Sequence, residues 1–458
     1  MKAAKKTPNL IQSDPRALAL RYLCRLDRDQ SYALNMLHAD RIDSSLKERD
    51  AALYMQLIKG TLQWRGKIDA ALETFLEKGL SSLPAKVQNI LRLGAYQIMF
   101  LDRIPKEVAV NESVNLTRKQ KERNLAGLVN ALLRNLVREL PRLMPALSNA
   151  NSAEEIAISG SHPPWLVERW ISQFGAEETR ALCEANNRPW PVQLRANTLR
   201  IQPQELIEKL QSEGLTAKAA RFSPECLTVE TLPENRKLHE LASYQSGLFQ
   251  IQDESSALVS HIVDPQPGET VIDLCSAPGG KTTHLAALMK NTGRIVALDS
   301  SRRRLELVTQ ACRRLGISIV ECAVSDGRTF RPQYTADRVL VDAPCSGLGV
   351  LGRKSDARWN KTPGMLKELA VLQLELLTNA ARLVRKGGVL IYSTCSIDPE
   401  ENEQVIESFL ARDESFRPAP LPAIFTQLGL AGTQACYRSW PQRHLIGGAF
   451  GAALTRVL

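Results

Sequence analysis

Two cysteines fifty residues apart stand in matching surroundings, Val341-Asp342-Ala343-Pro344-Cys345-Ser346 and Tyr392-Ser393-Thr394-Cys395-Ser396. Each follows a short apolar run, 338–341 and 389–392, that reads as a buried strand. Open α/β sheets bind ligands beyond the carboxyl ends of their strands, so two strands would bring both thiols to one rim. A thiolate is a strong nucleophile, and a second thiol beside it can serve as acid or base. Zinc is disfavoured, because C-x-x-C spacing is absent and none of the six histidines lies near either motif. No metal is therefore expected.

A second constellation lies upstream in Asp273-Leu274-Cys275-Ser276-Ala277-Pro278-Gly279-Gly280-Lys281-Thr282. A glycine-rich turn between strand and helix lets a ligand approach the backbone beside a helix N-terminus. Gly280-Lys281-Thr282 suggests a phosphate-binding loop, but that motif needs glycine where Cys275 stands. The dinucleotide fingerprint G-x-G-x-x-G also fails. Asp299 closes the next strand, where a carboxylate can accept hydrogen bonds from ribose hydroxyls. Asp326 follows the third strand and is placed to meet an adenine edge. Together these features fit a nucleoside cofactor without a pyrophosphate, and S-adenosyl-L-methionine is the candidate.

The elements that must hold these residues alternate from residue 264 onward. Strands are expected at 271–274, 295–298, 317–320, 339–341 and 389–392, with helices at 281–290, 301–315 and 364–385. That order predicts a mostly parallel, doubly wound α/β sheet over 263–458. Residues 152–262 read as a small α+β linker domain, with strands at 192–195 and 227–230 around a helix at 203–213. Residues 13–145 read as an all-α domain. Its signals are Ser13 capping a helix with Pro15 in its first turn, and the capping box Ser45-Leu46-Lys47-Glu48. Val87, Ile90, Leu91, Gly94, Ile98 and Leu101 form a helical stripe, and Leu125, Leu128, Leu132, Leu136 and Leu140 another. Proline and asparagine over 141–151 mark a boundary, and residues 1–12 a basic tail.

The 458 residues carry a formal charge of +10, which makes a polyanion a plausible partner. Arg118, Lys119, Lys121 and Arg123 crowd one loop, and Arg134, Arg138 and Arg142 recur every fourth residue. Such a row is either a solvated helix face or a phosphate-binding surface. Nine scattered cysteines, an odd number, argue against a disulfide framework. With no secretory leader and no run near ~18 apolar residues, a cytoplasmic protein is expected, with no membrane partner.

Asp342-Ala343-Pro344-Cys345-Ser346-Gly347 and Ser393-Thr394-Cys395-Ser396 resemble motifs IV and VI of the NOL1/NOP2/Sun RNA (cytosine-5)-methyltransferases. The turn 274–281 is similar to that family's motif I. The likeness extends to Leu194-Arg195-Ala196-Asn197-Thr198, Gln252-Asp253-Glu254-Ser255-Ser256 and His162-Pro163-Pro164-Trp165. The helical N-terminus is similar to the NusB antitermination fold. The combination is typical of bacterial enzymes that methylate 16S ribosomal RNA.

The resemblance implies a Rossmann-like class I methyltransferase domain preceded by a NusB-like domain and a linker domain. By it, Cys395 adds to C6 of cytosine, Cys345 assists C5 proton loss and elimination, Asp342 holds the base edge, and Lys281 assists near that carboxylate. Cys275, Ser276, Ala277, Pro278, Gly279, Gly280, Lys281, Asp299, Asp326 and Asp342 would bind the cofactor. It further implies 16S rRNA or a 30S assembly intermediate as substrate, cytosine 967 as target, and a monomer. Two segments depart from the family pattern, Gly447-Gly448-Ala449-Phe450 and Lys354-Ser355-Asp356. Arg358 and Trp359 could clamp RNA or belong to a core. Two other readings stay open: an RNA-binding factor that keeps the scaffold without catalysis, and a DNA cytosine methyltransferase with Cys345 as nucleophile.

Overall fold

The computed structural model describes residues 14–28, 46–232, 236–432 and 436–458. The chain divides into two compact units, Met1–Arg188 with Leu351–Asn360, and Pro189–Val350 with Lys361–Leu458.

The first unit is helical throughout its described residues. Its helices Glu48–Gln63, Ala85–Phe100, Lys106–Arg118 and Ala126–Ala146 pack apolar stripes into one core. Ile90, Leu91, Leu133 and Leu136 are fully buried there. Gly94 is needed in its stripe, since a Cβ there would stand 2.7 Å from Leu133 and 2.6 Å from the Ser113 hydroxyl. The tail, Ser13 and Ser45 lie outside the described residues, and Lys47 rather than Ser45 precedes the helix that starts at Glu48.

The stretch 141–151 expected as a boundary begins inside a helix, because Ala126–Ala146 continues through Pro141 and Pro145, and the break follows at 147–152 before the helix Ala153–Gly160. Burial of Leu136, Leu140 and Leu143 carries the apolar stripe past the break in backbone hydrogen bonding. Helices Ala153–Gly160, Pro164–Phe174 and Ala176–Asn187, expected with the linker, cluster with this unit instead. The Gly66 N–H donates to Ser161 Oγ, and the Gln63 amide to the Asn187 carbonyl.

Arg358 and Trp359 belong to the same unit, Arg358 as a core residue and Trp359 half-buried beside it. Arg358 is completely buried and donates to the carbonyls of Ser161 and Asn186 and to Asn187 Oδ1. Trp359 Nε1 donates to the Leu62 carbonyl.

The second unit holds two sheets. The smaller contains β1 (Gln193–Ala196), β2 (Thr216–Ala219), β3 (Cys226–Thr231) and β4 (Phe249–Ile251), antiparallel in the order β2-β3-β1-β4. The larger comprises β5 (Thr270–Asp273), β6 (Arg294–Asp299), β7 (Val320–Val324), β8 (Ala336–Asp342), β9 (Val384–Thr394), β10 (Phe416–Pro418), β11 (Tyr437–Ser439) and β12 (Ala449–Arg456).

Its order is β10-β12-β9-β8-β5-β6-β7, with β11 on β12. The run from β9 to β7 is parallel, and β12 joins β9 antiparallel. The chain moves outward from β5 to β6 and β7, then returns to β8 on the other side of β5. That reversal opens a crevice at the carboxyl ends of β5 and β8, where open sheets bind ligands.

The third strand begins at Val320, not at residue 317 as expected. Gly316 takes the left-handed conformation after the helix Arg302–Leu315, and Ile317 N–H closes back on the Cys312 carbonyl. Ile317 is therefore part of a helix cap. The edge strand β7 is mostly exposed and lacks the apolar run that marks its neighbours.

Candidate active site

The turn after β5 is braced from several sides. Ser276 donates from both N–H and Oγ to the Leu298 carbonyl of β6, at 2.8 and 2.9 Å. Gly279 has φ +100°, and a Cβ there would approach Val308 Cα to 3.1 Å. The peptide Ala277–Pro278 is cis. Arg195 of β1, completely buried, donates to the Gly280 carbonyl (2.8 Å), Gln252 Oε1 (2.6 Å) and Thr283 Oγ1 (3.1 Å). The upstream segments around Arg195 and Gln252 thus act as a brace for the glycine turn, which their sequence alone did not reveal.

Carboxylates surround this turn. Burial pushes the Cys275 thiol far up, and the nearby charges of Asp273, Asp342 and Asp299 push it further. Asp273 is fully buried and accepts from Thr282 Oγ1 at 2.7 Å, while its Oδ1 has no hydrogen-bond partner. Burial raises its carboxyl to about 7. Asp299 accepts from the Ser301 N–H at 2.9 Å and pairs with Arg304 at 3.3 Å. A ligand carrying a sulfonium, an ammonium and a ribose diol suits this set of acceptors: clustered carboxylates, one of them with an unpartnered buried oxygen, beside an open glycine turn. Asp326, after β7, is partly exposed, with its carboxylate held by Arg328 at 2.7 Å.

The strands β8 and β9 end side by side, with Asp342 in register with Ser393. Asp342 Oδ1 accepts from Ser393 Oγ at 2.9 Å, and Oδ2 from Lys281 Nζ at 2.7 Å. Cys345 Sγ and Cys395 Sγ are 3.2 Å apart, and the Cys395 N–H donates to Cys345 Sγ at 3.3 Å. Both residues are partly accessible.

The hydrogen bond with Cys395 is the first cause holding the Cys345 thiol well above its usual range; burial adds to it. Burial works against the Lys281 charge, but Asp342 outweighs it and the Cys395 thiolate adds to the effect. The structure therefore brings Lys281, Asp342, Cys345 and Cys395 together.

The altered segment Gly447–Gly448 reinforces this site. The Gly349 N–H donates to the Cys395 carbonyl at 3.0 Å, and the Gly448 N–H to the Gly349 carbonyl at 2.7 Å. A Cβ on Gly349 would stand 2.1 Å from the Gly448 carbonyl oxygen. In the other departing segment, Ser355 and Asp356 are buried within the helical unit.

Among the described residues one cluster has metal-ligand composition: Glu225, His261 and His284. Glu225 Oε1 already accepts from Ser223 Oγ (2.8 Å) and meets both rings, at 2.8 and 2.7 Å. The neighbouring Arg195 cation helps hold His284 down to about 4, after burial. An internal carboxylate–imidazole network accounts for these contacts.

The sequence matches three family descriptions: 16S rRNA methyltransferase RsmB/F over 260–455, NusB family over 13–138, and an RsmF/B-like ferredoxin-like domain over 162–233. The structure is similar to the crystal structure of PH0851, at a TM-score of 0.79 and 29% identity, covering 99% of this chain and 100% of that one. It is also similar to NSun6 from Pyrococcus horikoshii with SFG, at 0.56 and 25% identity, covering 64% and 97%. The chain is 35% identical over 407 residues to the probable ribosomal RNA small subunit methyltransferase B of Bacillus subtilis, covering 88% of this chain and 89% of that protein. Identity at that level along nearly the whole of both chains makes this protein a member of the ribosomal RNA small subunit methyltransferase B family.

Proposed function

We propose that the chain methylates C5 of a cytosine in 16S ribosomal RNA through a covalent Cys395–C6 adduct, with cytosine 967 as the target. The observation that carries this reading is the thiol pair 3.2 Å apart, beside the Lys281–Asp342 ion pair. S-adenosyl-L-methionine is the methyl donor, and when bound it supplies an electrophilic methyl on sulfur. The turn 275–281 with Asp273, Asp299 and Asp342 would hold it, and Asp326 its adenine edge.

Carbon 5 of cytosine is a poor nucleophile. Addition of the Cys395 thiolate to C6 forms a C–S bond and moves an electron pair toward C5, which can then take the methyl group. Asp342 orients the base edge, and Lys281 favours the thiolate by its charge. Once Cys395 is bonded to carbon, the hydrogen bond that keeps Cys345 protonated no longer favours its thiol form. Cys345 can then assist removal of the C5 proton, and the C6–S bond breaks to restore the ring and the thiolate. The same coupling disfavours Cys345 as the attacking group, and an intact pair disfavours a noncatalytic scaffold.

The target base must be flipped out or single-stranded to reach this rim. In this reading residues 13–145 bind RNA through the exposed face of Arg134, Arg138 and Arg142. Residues 152–262 link that domain to the catalytic residues 263–458, and the substrate is 16S rRNA or a 30S assembly intermediate.

Cys395→Ala should abolish methylation and covalent RNA capture, whereas Cys345→Ala should lose turnover and accumulate a denaturation-resistant RNA adduct. The reverse pattern would exchange the two roles. Bisulfite sequencing of 16S rRNA with and without the gene tests the target.

A further inference from the structure

Glu401 is fully buried, and its carboxylate reaches the residues that follow both thiols. Oε1 accepts from the Ser346 N–H at 2.8 Å and from the Gln373 amide at 3.1 Å. Oε2 accepts from Ser396 Oγ at 2.5 Å and from Ser346 Oγ. The two hydroxyl oxygens stand 3.2 Å apart. The Gln373 amide also donates to the Pro344 carbonyl at 2.9 Å, and Tyr392 Oη donates to the Glu401 carbonyl at 2.5 Å.

A buried carboxylate is costly unless its oxygens are filled by donors. Here those donors come from both thiol-bearing loops. Glu401 itself sits on neither loop; it lies in the short helical turn Pro399–Glu401.

Building on the thiol mechanism, we infer that Glu401 is a positioning residue: its carboxylate clamps Ser346 to Ser396 and so fixes the separation and relative orientation of Cys345 and Cys395. The two serines are adjacent in sequence to the thiols, so a shift in either moves a sulfur directly. Misplacement of reacting groups by about 1 Å can cost a hundredfold in rate. The carboxylate also sets a negative charge near Cys345, which favours its protonated form before attack.

The test uses the full-length enzyme with an rRNA fragment. Glu401→Gln keeps the shape but replaces one acceptor oxygen by a donor and removes the charge. Its kcat should fall about ten- to a hundredfold. KM for RNA and affinity for S-adenosyl-L-methionine should stay within about twofold of wild type, since the clamp touches neither ligand. The kcat–pH profile should shift and the fraction of denaturation-resistant adduct should change. Glu401→Asp, which keeps the charge with a shorter reach, should restore the pH profile but not the full rate.

The double variant Ser346→Ala/Ser396→Ala removes the hydroxyl donors while leaving the charge, and should reproduce the kcat loss if Glu401→Gln folds poorly. Wild-type kcat and pH profile in both Glu401→Gln and the double variant would overturn the role. A defect confined to melting temperature and cofactor affinity would do so too. Absence of any Cys395-dependent adduct in the wild-type enzyme would instead overturn the thiol mechanism.

Discussion

Lys281 Nζ donates to Asp342 Oδ2 across 2.7 Å, joining the glycine turn after β5 to the end of β8. The pair spans the crevice where the strand order reverses, and the same ammonium is coupled to the Cys395 sulfur. In the proposed mechanism Lys281 is the cation that favours the Cys395 thiolate.

Lys281→Met should therefore lower kcat roughly 10- to 100-fold, on the order of 1.4–2.7 kcal/mol. Without the cation, ionisation of the nucleophile needs higher pH, so the acidic limb of the rate profile should move upward. Methyl transfer measured from pH 6 to 9 checks this. An unmoved limb would assign the ammonium to Asp342 alone.

Asp273 yields a stability prediction. Its carboxyl sits at about 7 in the fold, chiefly through burial, against an ordinary 3.8. The folded state then holds the proton more tightly, so its contribution is full below about pH 4 and is lost as pH rises through about 7. Asp273→Asn cannot ionise. Measured by denaturant unfolding without cofactor, it should gain on the wild type between pH 5 and 8, by on the order of 2–4 kcal/mol.

Gly349→Ala should destabilise the site out of proportion to its size. The added carbon would meet the Gly448 carbonyl oxygen at 2.1 Å and the Cys395 carbonyl oxygen at 2.8 Å, all backbone, with no side chain able to rotate away. A loss of about 2 kcal/mol or more is expected in thermal unfolding. The Cys395-dependent adduct should fall at temperatures where the protein remains folded.

Arg134, Arg138 and Arg142 are exposed, and Arg138 and Arg142 both pair with Glu139, at 3.1 and 3.6 Å. Replacing all three with Gln should leave the melting temperature nearly unchanged. RNA affinity should drop, and the slope of log affinity against log salt should flatten by about 2. An unchanged slope would make this row an ordinary solvated face.

The sequence was most legible where local chemistry and strand pattern coincide. Apolar runs ending in Asp273, Asp342 and Cys395 announce β5, β8 and β9, and the glycines of the turn announce a ligand's approach. It was least legible where burial contradicts residue type. Glu401 and Arg358 are charged, so nothing local distinguishes them from surface residues, yet both are completely buried, with partners that include Ser346 for Glu401 and Ser161 for Arg358, far away in sequence. The edge strand β7 was expected but displaced to 317–320, since its exposed face at 320–324 has no apolar period to read. Pro141 does not end its helix, because packing of Leu140 and Leu143 holds the helix together across it, and the break comes a few residues later within 141–151.

The strand that ends at Cys395 is paired along both edges, with β8 on one side and β12 on the other. Its amides should be among the slowest in the chain to exchange with solvent. In the proposed mechanism a sulfur anchored this way is a fixed post, with little freedom to search for its target. Travel would then be left to the nucleic acid: the cytosine would have to leave its stack and swing to the enzyme. Recognition then depends on how readily a given stretch of ribosomal RNA gives up one base.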